Sequence, residues 1–155
     1  MKTILKFTVF TAVLLILTGG LGSCKKEEPK EILFTRYCLN DPCRWSNLFG
    51  HCQWTNFSDY KVIVINNREK LENHVSCTDF PDINFSTHTL LLAGGAAPSL
   101  VENIRVDFYK NSKNKYTMIL AFDLTGLTMI DRWVVAILVP KIVDKSIVDL
   151  DLDIW

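Results

Sequence analysis

Trp133-Val134-Val135-Ala136-Ile137-Leu138-Val139 runs seven residues without a charge and is followed by Pro140. Aliphatic side chains fill both parities of the run, so a strand built from it has two faces to bury. It is therefore expected to be a central strand with packing on either side. Proline cannot donate to a ladder, so the strand should end there.

Moving towards the N-terminus, Tyr116–Leu124 and Ile104–Lys110 flank the polar stretch Asn111-Ser112-Lys113-Asn114-Lys115. Two β-rich segments around a short polar loop predict an antiparallel hairpin. Thr89–Gly94 forms a further strand, and Ala96-Ala97-Pro98-Ser99-Leu100 reads as a turn after it, with no role assigned to it by the sequence. Lys61-Val62-Ile63-Val64-Ile65 is a β-branched run bounded by Asp59 and Asn66, a buried strand by length and composition. Asn66 followed by Glu69 resembles a capping box, and Leu71 with Val75 gives an apolar stripe, so one short helix is expected over about 67–76. His74 within it reads as a surface or half-buried residue.

Beyond Pro140, Ile147–Ile154 sets Ile147, Leu150, Leu152 and Ile154 against Asp149, Asp151 and Asp153. Carboxylates about 6.6 Å apart on one strand face invite comparison with calcium ligands, but calcium sites draw on curved loops and backbone carbonyls. A solvated face that protects an edge strand is expected instead. The fold class is mainly β (α+β): an antiparallel β-sandwich or curved sheet of about 6–8 strands with one short helix.

The N-terminal half adds cysteines and rings. Phe34, Tyr37, Trp45, Phe49, Trp54, Phe57 and Tyr60 crowd the segment 32–60, where Cys38, Cys43 and Cys52 also lie. Cys38, Cys43, Cys52 and Cys77 make an even set in an exported chain, which implies two disulfides. Three pairings are open. The turn chemistry of Asp41-Pro42 inclines the reading to Cys38 with Cys43 and Cys52 with Cys77. A zinc site with His51 would need closer ligand pairs than these gaps allow. The rings are expected to form a small second core under stapled loops; alternatively, Trp45, Trp54 and Tyr60 form an exposed stacking surface for a partner or a glycan.

The first residues have the three parts of an export signal: Lys2 and Lys6, an apolar core from Phe7 to Leu17, then small residues up to Ser23. Leu21-Gly22-Ser23-Cys24 resembles the lipobox of bacterial lipoproteins. The Cys24 thiol is the nucleophile that takes up a diacylglycerol as a stable thioether, so residues 1–23 are expected to be removed and Cys24 to carry the lipid. Two or three acyl chains give durable attachment where one is marginal. Residues 24–31 are charged and contain a proline, reading as a solvated tether, so the globular domain is expected to span 32–155. The Lys26-Glu27-Glu28 order resembles the export tag of surface lipoproteins in Bacteroides-type bacteria. The expected address is accordingly the outer membrane, facing outwards.

From Val62 to Ile142 the order of features resembles a family of uncharacterised Bacteroides-type surface lipoproteins. The matching features are the strand and helix around Ile65-Asn66-Asn67, Pro81-Asp82-Ile83-Asn84-Phe85-Ser86, Thr89-Leu90-Leu91-Leu92-Ala93, and Trp133 leading to Leu138-Val139-Pro140-Lys141. Residues 81–142 are also similar to the C-terminal domain of the protease-complex subunit PrcB, with Val106-Asp107-Phe108 and the apolar strand ending in proline. Those domains carry Thr-Gly-Gly-Tyr after the first strand, where this chain has Ala96-Ala97-Pro98-Ser99-Leu100. The resemblance implies a non-catalytic module that binds or stabilises another envelope protein.

Removing Lys2 and Lys6 from the 17 basic residues leaves 15 against 17 acidic ones, a balance without the basic footprint of a nucleic-acid binder. No nucleophile elbow or metal-binding helix pair occurs, and Gly94-Gly95 lacks the lysine of a phosphate loop. Neither a catalytic residue, a metal nor a cofactor is expected. The partners expected are the membrane through Cys24 and another envelope protein, with glycan capture by the Trp45/Trp54 region as the alternative.

Overall fold

The computed structural model describes residues 28–40 and 52–154. Residues 1–23, expected to be an export signal, together with Cys24, Cys43, Trp45, Phe49 and His51, lie outside the described residues. Six strands and one helix follow in order: β1 (Lys30–Glu31), β2 (Thr35–Arg36), β3 (Lys61–Ile65), α1 (Arg68–Glu72), β4 (His88–Ser112), β5 (Lys115–Pro140) and β6 (Ile147–Ile154). The sheet begins at Lys30, two residues ahead of the expected domain start, because β1 pairs with β4 at Lys110 and Tyr109.

The hairpin expected around Asn111–Lys115 is present, with Lys110 opposite Tyr116. It is far longer than the sequence suggests. The four segments read as separate strands are two strands of 25 and 26 residues, paired through a bend with register shifts between Ala97 and Asn103. The stretch 96–100 is thus the bulged middle of β4 rather than a turn. Pro98 fits because a bulge leaves a residue out of the ladder.

The bend divides the hairpin into two layers. In one half, β3 adds to β4 and β2 to β5, giving the order β3-β4-β5-β2. In the other, β1 adds to β4 and β6 to β5, giving β1-β4-β5-β6. The result is a mainly antiparallel sandwich made from one folded hairpin.

Alternation along the strands explains the cores. Leu91, Ala93, Trp133, Val135, Ile137 and Val139 from one layer meet Ile104, Phe108, Met118, Leu120 and Phe122 from the other. The opposite parity of the first layer, Leu90, Leu92, Val134 and Ala136, faces a second core with Tyr37, Cys52, Trp54, Leu71, Phe80 and Ile83. Trp133–Val139 therefore does have two faces to bury. The distal half has only one, and its outer face carries Arg105, Asp107 and Asp123.

Helix α1 is shorter than expected, and Asn67 rather than Asn66 caps it: the Asn67 side chain accepts from the Lys70 amide at 2.8 Å. Asn66 is engaged elsewhere, accepting from the Thr89 hydroxyl and donating to Asp144 and the Ile142 carbonyl. Leu71 is the one helix residue buried in the second core; Val75, past the helix, is buried in the same core as expected and also forms an isolated bridge with Trp54.

β6 pairs parallel to β5, from Lys115 opposite Ile147 to Phe122 opposite Ile154. The six-residue link 141–146 returns the chain to the hairpin's tip, where the Ile147 amide donates to the Asn114 carbonyl at 2.9 Å. Val148, Leu150 and Leu152 turn inwards, while Ile147 shares the exposed face of the aspartates.

Candidate functional site

The expected cysteine pairing of Cys52 with Cys77 is present, spanning 25 residues. Cys38 is also disulfide-bonded; the other half of that expectation, Cys43, lies outside the described residues. Cys52 is buried in the second core, so the bridge joins the aromatic segment to the chain just after the helix.

The ring residues singled out from sequence are not gathered into one surface. Trp54 is only 9% exposed and packs at 6.0 Å from the Tyr37 ring in the second core. Tyr60 belongs to the other side of β4. Its ring lies 6.4 Å from Trp133, and its hydroxyl donates to the Ala96 carbonyl at 2.9 Å. Gly94 and Gly95 are required by this arrangement. A Cβ on Gly94 would stand 2.4 Å from the Phe57 ring, and one on Gly95 2.7 Å from Trp133. The paired glycines thus admit rings from both cores.

A different feature draws attention at the bend. Between the rungs Ala97–Asp131 and Val101–Leu124, β4 takes four steps and β5 takes seven. The three surplus residues arch outwards. Gly126 turns the arch at φ +76°, a region glycine enters without steric cost. Its base is held by side chains: the Ser99 hydroxyl donates to the Leu127 carbonyl at 2.7 Å, and the Asp131 carboxylate accepts from the Val101 amide at 3.1 Å. Asp131 and Ser99 are both buried, an investment of polar groups that shapes the backbone locally.

What this scaffold presents is apolar. Leu127 is 59% exposed, Met129 49% and Ile130 78%, and no charge occurs from Leu124 to Ile130. Part-buried hydrogen bonds thus brace the backbone at the base of a segment whose three large apolar side chains stand in water. Exposed apolar groups clustered in this way mark interaction surfaces. Sequence reading missed the arch because Thr125–Arg132 falls between two expected strands; the uncharged Leu127-Thr128-Met129-Ile130 was the only available signal.

The arch stands at the opposite pole of the sandwich from the chain's entry. β1 meets β4 at Lys110, beside the hairpin tip, and the bend lies about ten residues, roughly 30 Å, further along the strands.

Other hollows offer less. One of about 350 Å³ between α1 and the disulfide includes Arg68, but that guanidinium is committed to Glu72 at 2.9 Å and Asp82 at 2.8 Å. Among the described residues, no group of three or more His, Cys, Asp or Glu is placed to hold a metal ion, and no helix is long and apolar enough to cross a membrane.

The fold and site define a two-layer β protein that presents an apolar arch at one end. No family model, curated protein or solved structure matches the chain.

Proposed function

We propose that this chain is a lipid-anchored cell-envelope protein on the outward face of a bacterial outer membrane, acting as a non-catalytic module that binds or stabilises another envelope protein. The arch carries this reading. Leu127, Met129 and Ile130 are presented on a backbone braced by Ser99 and Asp131, which is the construction expected of a preorganised contact surface. Its position supports the same reading, since a tether entering at Lys30 leaves the opposite pole directed away from the leaflet. The resemblance to PrcB-like domains points to the same class of role.

The alternative, glycan capture by the Trp45/Trp54 region, is weaker in one respect: the Trp54 ring is enclosed by the second core. Tyr60, half exposed, and Trp45 remain as stacking candidates.

The test is affinity capture from intact envelopes using the full chain and its Leu127→Ser/Ile130→Ser variant. A stoichiometric protein retained by the wild type and lost from the variant, at unchanged thermal stability, supports the proposal. Equal retention by both removes the arch from the account. Retention of oligosaccharide that depends on Trp45 favours the glycan reading.

A further inference from the structure

The end of the sandwich that receives the tether has a chemistry of its own. Lys30 stands directly opposite Lys110 across the β1–β4 ladder. Like charges placed so are unfavourable unless an anion lies between them. Lys113 occupies the hairpin turn, Lys115 starts β5 opposite Ile147, and Lys145 lies two residues before the Ile147 amide that bonds Asn114. All five lysines are exposed, and none of the ion pairs among the described residues engages them.

The neighbouring acids Glu28, Glu31, Asp144 and Asp149 offset part of this charge and leave a positive excess, to which Lys141 adds a sixth cation. Glu31 sits one rung further from the tip, opposite Tyr109, and Asp149 two rungs beyond Ile147, opposite Thr117. Asp144 accepts from the Asn66 amide, and Glu28 is a single exposed carboxylate on the tether. Lys141 stands at the same end but donates to the Asn66 and Phe85 carbonyls. Ile147 stands opposite Lys115 at this end and is 55% exposed, an aliphatic side chain next to a cationic one. Lysines beside exposed aliphatic carbon suit the boundary of a charged leaflet.

We infer that Lys30, Lys110, Lys113, Lys115 and Lys145, with Ile147 opposite Lys115, form a docking face for an anionic lipid leaflet that holds the domain upright on its anchor. The inference rests on the lipid-anchor reading of Cys24, because that reading brings this end to the surface. Six residues from Cys24 to Pro29 span at most about 20 Å, so the face is never far from the headgroups. The tether supplies proximity and the lysines supply orientation. Each lysine at such a surface multiplies partitioning by roughly fivefold, an effect that salt screens. With this end docked, the arch at the other pole is turned outwards.

The experiment uses the full mature chain as purified from bacterial envelopes, with two vesicle types: phosphatidylcholine alone, and phosphatidylcholine with a one-third share of phosphatidylglycerol. Flotation reports anchoring. Labelling by a water-soluble amine reagent, read residue by residue by mass spectrometry, reports the docked face. The expected result is flotation with both vesicle types, with labelling of the five lysines slowed several-fold only on the anionic ones and restored by molar salt. Lys61, which pairs with Gly94 near the bend, serves as the unprotected control. Flotation with both and identical labelling overturns the docking face while leaving the anchor standing. Flotation with anionic vesicles alone, with the five lysines protected, overturns the anchor and leaves the face. Flotation with neither removes both.

Discussion

Replacing Cys52 by Ala and Cys77 by Ser removes the described disulfide while leaving Cys38 in its own bridge. The bridge closes a loop of sequence separation 25, and loop-closure entropy for that length amounts to about 3.5 kcal/mol of lost stability. Cys52 is fully enclosed by the second core, so its loss also loosens the packing of Tyr37, Trp54 and Leu71 around it. Against a total stability of about 5–15 kcal/mol, this is a large fraction. For a domain of this size the melting temperature should fall by roughly 10–17 °C. Thermal unfolding followed by circular dichroism, without reductant, measures it. The near-ultraviolet signal should weaken before the β signal, because the second core loosens ahead of the sandwich. A variant melting within about 2 °C of the parent would refute the view that this bridge organises the aromatic segment.

Three further outcomes follow from the packing. Gly95→Ala should cost about 1–3 kcal/mol in denaturant unfolding, because its Cβ would meet the fully buried Trp133 ring; an unchanged midpoint would contradict the ring contact. Leu71→Ala should cost about 3 kcal/mol by emptying the helix's one buried position, whereas the exposed neighbour Lys70→Ala should change little. Burial pushes the Tyr37 phenol up to about 12, opposed by Arg68 and assisted by Asp82. The folded form therefore holds this proton more tightly than the unfolded chain. The resulting stability is fully present below pH 10 and is lost as pH rises towards 12, so Tyr37→Phe should flatten that decline.

Much of the architecture is readable from the residues, for reasons particular to them. Trp133–Val139 is apolar at both parities, and the structure places a core on each side of it. The polar pentad at 111–115 sits at the tip of the hairpin, and Cys52 pairs with Cys77. Continuity through the bend was hidden because Pro98 and Gly126 look like breaks in a linear reading. In the structure they are tolerated where the ladder is already interrupted by bulges. The direction of β6 was equally hidden, since alternating side chains identify a strand's faces but not its orientation. Asn66 and Asn67 are equivalent as caps in sequence, and tertiary bonds from Asn66 to Thr89 and Asp144 decide between them.

The candidate site was less legible than the fold. Trp54 and Tyr60 attract attention as amphipathic rings, yet they pack against different cores. Leu127, Met129 and Ile130 look ordinary until the unequal step counts of β4 and β5 force them outwards. Exposure there depends on long-range register, which no local pattern encodes.

The central claim is that the arch touches another envelope protein. The most direct test places a photoreactive residue at Met129 and, separately, at Asp107 on the outer face of the distal layer, with illumination of intact cells. The account expects one discrete protein adduct from position 129 and none from position 107. Adducts of the same pattern from both positions, or none from either, would contradict it.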